Sequence, residues 1–372
     1  MIGKLLCGVA LISAPAVASS KAGDPVPNSY ICTFLPGPIS TGSEARASAA
    51  AVGGRVSHVY SHVLNGFSVS MSATAAQKII AKNRLIKGCT QDRIASIPPT
   101  IVGEISARGG PPIGGSGTGQ SVPWGVKRVG GWDYSSGTAW IIDTGIDLTH
   151  PDLNVSQTDN VSFVPGDTSP NDANGHGTHV AGIIGAKNNN IGVVGVAAGA
   201  RVVSIRVLDA SGNGRDSDVI AGLDYVVSKN RPGDVINLSL ITTALQELDQ
   251  AVIAAANAGY YVAIAAGNSS ANAANYSPAR VDAPGVYTVS AIDSKDVFAR
   301  YSNWGNPPID FAEPGSSILS TYKGGTYATL SGTSMAAPHL AGILLLHGGG
   351  APYRSGTAIR DPDGSPDYIG IK

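Results

Sequence analysis

From about residue 138 onward, short apolar runs rich in β-branched residues alternate with longer stretches of helical spacing. TAWIID, ARVVSIRVLD, DVINLSL, GYYVAIAA and GVYTVSAID are of the first kind; HGTHVAGIIGA, DSDVIAGLDYVVSKN and ALQELDQAVIAAANA are of the second. A strand apolar on successive residues is covered on both faces. The alternation therefore predicts an α/β fold, a mostly parallel sheet with helices on both faces. In such sheets ligands collect at the carboxyl ends of strands, so polar residues at those ends are the first candidates for function.

Three stand out, with a fourth outside the strands. Asp143 ends TAWIID, His176 opens a helical stretch in NGHGTHVAG, and Asn268 follows YYVAIAAG. Ser334 stands before the apolar run MAAPHLAGILLL, whose all-round apolarity marks a buried helix. Each has an ordinary reading. The Asp suits a surface turn, the His a helix start, the Asn a turn cap and the Ser a helix N-cap. HGTH lacks the spacing and glutamate of a zinc-binding HExxH. Together the four are the complement of a hydrolytic site: an acid to orient a base, a base to deprotonate a nucleophile, and an amide to stabilise an oxyanion.

The chain has 372 residues, 43% hydrophobic and 14% charged, with 48 glycines and a net charge of −1. That composition fits a compact, loop-rich globular protein and argues against a disordered, coiled-coil or nucleic-acid-binding one.

IIDTGID, NGHGTHVAG, INLSL, AAGN and GTSMAAPHLAG stand in the order Asp, His, Ser. In this the sequence resembles the subtilisin-like serine proteases, from about Gln120 to about His347. The rival GxSxG hydrolase signature fails because Ala336 stands where its second glycine belongs. The resemblance implies that Asp143 orients His176, His176 acts as base and then acid, and Ser334 attacks a peptide carbonyl. The Ser334 N–H and the Asn268 side chain would form the oxyanion hole. A catalytically inactive relative that binds peptides in the same cleft would need one of these four broken, and all four are present.

Substrate is then expected as an added strand between two edges. Gly212, Asn213 and Gly214 resemble one edge, and Ser239, Leu240 and Ile241 the other, with Ala265, Ala266 and Gly267 lining the primary pocket. Ser-Leu-Ile-Thr replaces the family's usual Ser-Leu-Gly-Gly, so the branched Ile241 bears on specificity. After Leu346 the tail, HGGGAPYRSG onward, also departs from the family and is expected to be looser. The resemblance further implies a structural Ca2+ held by side chains of Gln120, Asp152 and Asn189 and carbonyls of Lys187, Ile191 and Val193. A cysteine-free secreted domain has a use for such a staple.

Residues 1–18 read as a secretory signal with an A-x-A end, and no other apolar run approaches the length of a membrane span. Residues 28–97 suggest a βαββαβ, ferredoxin-like α+β unit. Within 19–97, HVYSHVLNGFSVSMS and its placement are similar to a subtilisin prodomain. Residues 98–119 are rich in Pro and Gly and are expected to form a flexible linker, with the catalytic domain at 120–372. Residues 1–119 carry ten Lys and Arg against four Asp and Glu, a net +6, and the remainder is −7; opposite signs favour docking. Beyond the signal only Cys32 and Cys89 remain, on the first and last strands of the βαββαβ order. Those strands are sheet neighbours about 4.8 Å apart, so a Cys32–Cys89 bridge is expected. The whole reads as a secreted, self-processing, monomeric endopeptidase acting on polypeptides, with its own prodomain as inhibitor and no nucleic-acid or membrane partner in mature form.

Overall fold

The computed structural model describes residues 21–37, 40–106 and 119–372. The expected signal and residues 107–118 of the expected linker lie outside the described residues.

The large sheet runs, edge to edge, through Tyr353–Thr357, Tyr368–Ile371, Ile309–Pro314, Val286–Ile292, Tyr261–Ala265, Val235–Leu238, Thr138–Asp143, Arg201–Arg206 and Asn154–Val155. All neighbours in that run are parallel except the first pair. The strand Thr138–Asp143 explains why its sequence is apolar throughout: all six residues are buried. Ala139 and Ile141 pack on one face with Val180 and Ile184 of the helix His176–Gly185 and Leu340 and Leu344 of the helix Thr333–Leu346. Trp140 and Ile142 pack on the other with Val219 and Leu223 of the helix Asp216–Ser228 and Leu248 and Val252 of Gln246–Asn257. Period-2 alternation thus feeds two cores, one on each face.

The small unit follows the order strand Pro25–Phe34, helix Thr41–Ala50, strands Arg55–Tyr60 and Gly66–Ser70, helix Ala73–Lys82, strand Ile86–Ser96. Its first and last strands pair antiparallel with Cys32 opposite Cys89, and the two cysteines form a disulfide with Cα atoms 4.0 Å apart. Phe34, Phe67, Val69 and Ile79 pack around the bridge.

Two segments are more ordered than their composition suggests. Residues Ile101–Ser106, inside the Pro/Gly-rich stretch, pair antiparallel with Thr326–Ser331. Their IVGEIS sequence is β-branched between the glycines and prolines, and an open strand edge is available to it. The tail, expected to be loose, adds the two edge strands Tyr353–Thr357 and Tyr368–Ile371, the latter anchored by fully buried Ile369. Among the described residues no helix is long and apolar enough to cross a membrane.

Candidate active site

Asp143 sits at the carboxyl end of its strand with no exposed surface. The Thr144 N–H donates to its Oδ1 at 2.6 Å, and both carboxylate oxygens face Nδ1 of His176, at 2.8 and 2.9 Å. His176 is buried at the first position of its helix. The approach requires Gly177, since a Cβ there would collide with the Gly145 carbonyl. With Nδ1 occupied, Nε2 of His176 is buried and has no hydrogen-bond partner among the described residues.

Two other core histidines behave differently. Burial pushes His179 down to about 3 and His339 down to about 4, so both are neutral. His179 Nε2 lies 3.0 Å from the carbonyls of Ile318 and Ala328, and His339 Nδ1 lies 2.8 Å from that of Met335. These are structural contacts.

Ser334 lies in the first turn of the helix Thr333–Leu346, where the dipole favours negative charge. Its Oγ donates to the Ser239 carbonyl at 3.3 Å. Pro338, four residues on, has no N–H to give the Ser334 carbonyl. Ser239 Oγ makes up the loss, donating to that carbonyl at 3.1 Å, while Asn237 Nδ2 donates to Ser239 Oγ at 2.8 Å. Sequence reasoning placed Ser239 in the cleft edge but missed this clamp; the proline four residues after Ser334 was the available signal.

Asn268 follows the strand Tyr261–Ala265. Its Oδ1 accepts from the N–H and hydroxyl of Thr333 at 2.9 and 2.8 Å. That fixes the amide so that Nδ2 faces the cleft, where it donates to the carbonyl of Pro99 at 2.9 Å. Gly332 gives it room, since a Cβ there would sit 2.8 Å from Nδ2.

The two expected cleft edges already hold a strand, supplied by the chain itself. Ile94, Ala95 and Ser96 pair antiparallel with Arg215, Gly214 and Asn213. Ser96 and Ile241 exchange two backbone bonds of 2.9 Å, and the Ile97 N–H donates to Gly212 at 3.0 Å. Leu240 packs its side chain in the core cluster with Leu238, and the bonds on this edge are made by Ile241. Ala265 and Ala266 are fully buried; Gly267 takes a left-handed φ of 102°, with Asn303 and Ile241 side chains against it.

The small unit rests along the helix Asp216–Ser228, from Ser217 to Asp224. Asp92 accepts from the Ser217 N–H and hydroxyl at 3.1 and 2.6 Å. His58 Nε2 meets Asp218 at 2.7 Å, and Asp224 Oδ1 accepts from the N–H groups of Ser61, His62 and Val63 at 2.7–3.0 Å. On this helix the contact is carboxylate to helix end, histidine and backbone; beside it Arg93 donates to the Thr243 hydroxyl and the Ala244 carbonyl at 2.8 and 3.0 Å.

The six expected calcium ligands lie around one loop. Gln120 Nε2 contacts the carbonyls of Lys187 and Val193 at 2.5 and 2.8 Å. Asp152 is fully buried; its Oδ2 accepts from the Val193 N–H at 3.0 Å, and its Oδ1 has no hydrogen-bond partner among the described residues. Burial raises its pKa to about 6. Asn189 Oδ1 accepts from the Ile191 N–H at 3.1 Å. No cluster of three His, Cys, Asp or Glu side chains suited to a metal occurs among the described residues; this donor set is one carboxylate with amides and carbonyls.

A sequence model of the subtilase family matches residues 140–361. The chain belongs to the subtilase family. Alkaline serine exoprotease A of Vibrio alginolyticus is 36% identical over 305 residues, 79% of this chain and 53% of that protein. M-protease of Shouchella clausii (strain KSM-K16) is 44% identical over 250 residues, 65% of this chain and 63% of that protein. The chain thus spans about half to two thirds of the length of these subtilase relatives. The crystal structure of a cold adapted subtilisin-like serine proteinase matches with a TM-score of 0.60 at 34% identity, covering 67% of this chain and 97% of that one.

Proposed function

We propose that this subtilase is a secreted serine endopeptidase, made as a zymogen that processes itself. The observation that carries the reading is the buried Asp143–His176 pair, whose imidazole is held at Nδ1 and left free at Nε2. A base oriented in this way takes the proton of Ser334 as the hydroxyl leaves the Ser239 carbonyl and attacks a substrate carbonyl. Asn268 Nδ2 and the Ser334 N–H stabilise the resulting oxyanion; both are fixed by contacts made before substrate arrives. His176 then returns the proton to the departing amine, and water releases the acyl group by the same route.

An internal bond is the natural substrate, because the cleft already accommodates chain on both sides. Residues 94–97 pair with one set of edges and residues 101–106 with another. Backbone pairing gives affinity for polypeptides with little side-chain selection. The small unit acts as an intramolecular inhibitor, occupying the non-leaving side of the cleft while resting on the helix Asp216–Ser228. Secretion follows from residues 1–18, and the mature enzyme is a monomer without a nucleic-acid or membrane partner.

The residues at the Asp152 loop fit Ca2+, on the evidence of the orphaned, buried Asp152 oxygen and an all-oxygen donor set. Asp152, Gln120, Asn189 and the carbonyls of Lys187, Ile191 and Val193 would hold it, with the Gln120 amide turned oxygen-first. Bound there, the ion would tie the start of the domain to this loop and stabilise the fold. A peptide blocked at both ends tests the function: wild type cuts it internally and Ser334→Ala does not. Cleavage from a free terminus alone, or undiminished cutting by Ser334→Ala, contradicts the reading.

A further inference from the structure

We infer that the Cys32–Cys89 bridge is a redox lock on the enzyme: oxidised, it keeps the small unit seated in the cleft, and reduction by a small dithiol lets the unit go. The inference rests on the reading of the small unit as the inhibitor of an endopeptidase and goes on to name the chemistry that releases it.

The first observation is where the bridge sits. Cys89 belongs to the strand Ile86–Ser96, and the residues that follow it on that strand carry the grip on the large domain. Thr90 Oγ1 donates to Glu247 at 2.6 Å, Asp92 accepts from Ser217, and Arg93 donates to Thr243 and Ala244. Ile94, Ala95 and Ser96 then pair with Arg215, Gly214 and Asn213 in the cleft. Cys32 lies on the neighbouring strand Pro25–Phe34. The bridge is therefore the covalent tie between the gripping strand and the body of the small unit.

The second is how far the unit depends on that tie. A unit of this size buries little apolar surface, and its core cluster includes Ala45, Ala49, Ala75 and Ala76. The bridge joins residues 57 apart in sequence. Closing a loop of that length shifts the balance between folded and unfolded forms by about 30-fold or more. A unit that unfolds on leaving the cleft rebinds poorly and becomes a substrate of the enzyme it blocked, which makes release one-way.

The third is chemical access. Cys32 is fully buried, but Cys89 is only half-buried. The large domain pairs with the strand Ile86–Ser96 at Ile94, Ala95 and Ser96, which leaves the stretch around Cys89 as an open edge of the small sheet. Beyond residue 89 the chain holds no cysteine, so a thiol reagent has no target in the catalytic domain.

The step balances as thiol–disulfide exchange. A thiolate of the dithiol attacks Cys89 Sγ, the bond to Cys32 breaks, and Cys32 leaves and takes up a proton. The second thiol of the reagent then closes on the first, freeing Cys89 as a thiol. The bridge gains two electrons and two protons, and the dithiol is oxidised to a cyclic disulfide.

The full-length chain, folded with its bridge formed, tests this. It is mixed with reduced or with oxidised dithiothreitol, and the onset of cutting of a peptide blocked at both ends is followed. The reduced reagent should shorten the lag by about tenfold or more and leave the final rate unchanged. The full-length double variant Cys32→Ser, Cys89→Ser should show the short lag in either reagent. An equal or longer lag in reduced reagent, with both wild-type thiols shown free by mass spectrometry, overturns the lock. A bridge that stays oxidised in excess reduced reagent overturns it too. The endopeptidase reading fails separately, if the blocked peptide is never cut in either reagent.

Discussion

Ser239 holds Ser334 at both ends. Its hydroxyl donates to the Ser334 carbonyl at 3.1 Å, and its own carbonyl accepts from Ser334 Oγ at 3.3 Å. The first bond replaces the one Pro338 cannot make, and so fixes the backbone that carries the hydroxyl. Ser239→Ala should leave a buried carbonyl and the Asn237 amide without partners, costing about 1–3 kcal/mol of stability. It should lower kcat more than it raises KM. Thermal unfolding and steady-state kinetics read the two effects; unchanged values for both would remove Ser239 from the account.

Asn268→Gly should leave the fold intact and lower kcat by about 10²–10³, the magnitude known for losing one such donor in a subtilisin rather than one obtained from this structure. Substrate affinity should change little, because the amide is needed most when charge develops. A fall confined to KM would contradict the oxyanion role.

Asp152→Ala should abolish the effect of calcium on stability. For wild type the gain is RT ln(1 + [Ca2+]/Kd), about 4 kcal/mol at 1,000 times Kd. Identical melting curves in calcium and in chelator would reject the site.

Asp367 gives a pH signature away from the catalytic residues. Burial raises its pKa to about 7, with Ser290 donating to it and Asp361 adding like charge. A carboxyl whose folded pKa exceeds its unfolded value binds its proton more tightly when folded. Its contribution is complete below about 4 and is lost as pH rises through about 7. Asp367→Asn should therefore stabilise the protein increasingly from about pH 4 to about pH 7 and by a constant amount from there to pH 9, on the order of a few kcal/mol. A constant offset from about pH 4 to about pH 7 would contradict the shift.

The disulfide closes a loop between residues 57 apart in sequence. Replacing Cys32 and Cys89 with serine in the uncut Ser334→Ala precursor should lower the stability of the small unit by about 2–4 kcal/mol. Differential hydrogen exchange between the two precursors measures it; equal protection of the small unit would show the bridge to be dispensable.

The parts legible in the sequence are those where one residue type answers one physical demand. Thr138–Asp143 is apolar throughout because both its faces are covered, and Cys32 and Cys89 meet because the βαββαβ order makes their strands neighbours. Asp143, His176, Asn268 and Ser334 stand out as candidates because each sits at an element's end within a recognisable motif. What stayed hidden depends on distant partners. Nothing local to Pro99 says that Asn268, 169 residues on, will hold its carbonyl. Ile101–Ser106 becomes a strand only because Thr326–Ser331 offers an edge, and the tail strands form only because Ile309–Pro314 leaves one open.

The central claim is that Ser334, activated by His176, is the nucleophile. Treatment of the mature enzyme with an organophosphonate fluoride, followed by peptide mapping, tests it directly. The account predicts one phosphonylated residue, Ser334, with stoichiometric loss of peptidase activity and no labelling after His176→Ala. Full activity in an enzyme whose Ser334 is quantitatively labelled, or a label on another residue that alone tracks inactivation, would contradict it.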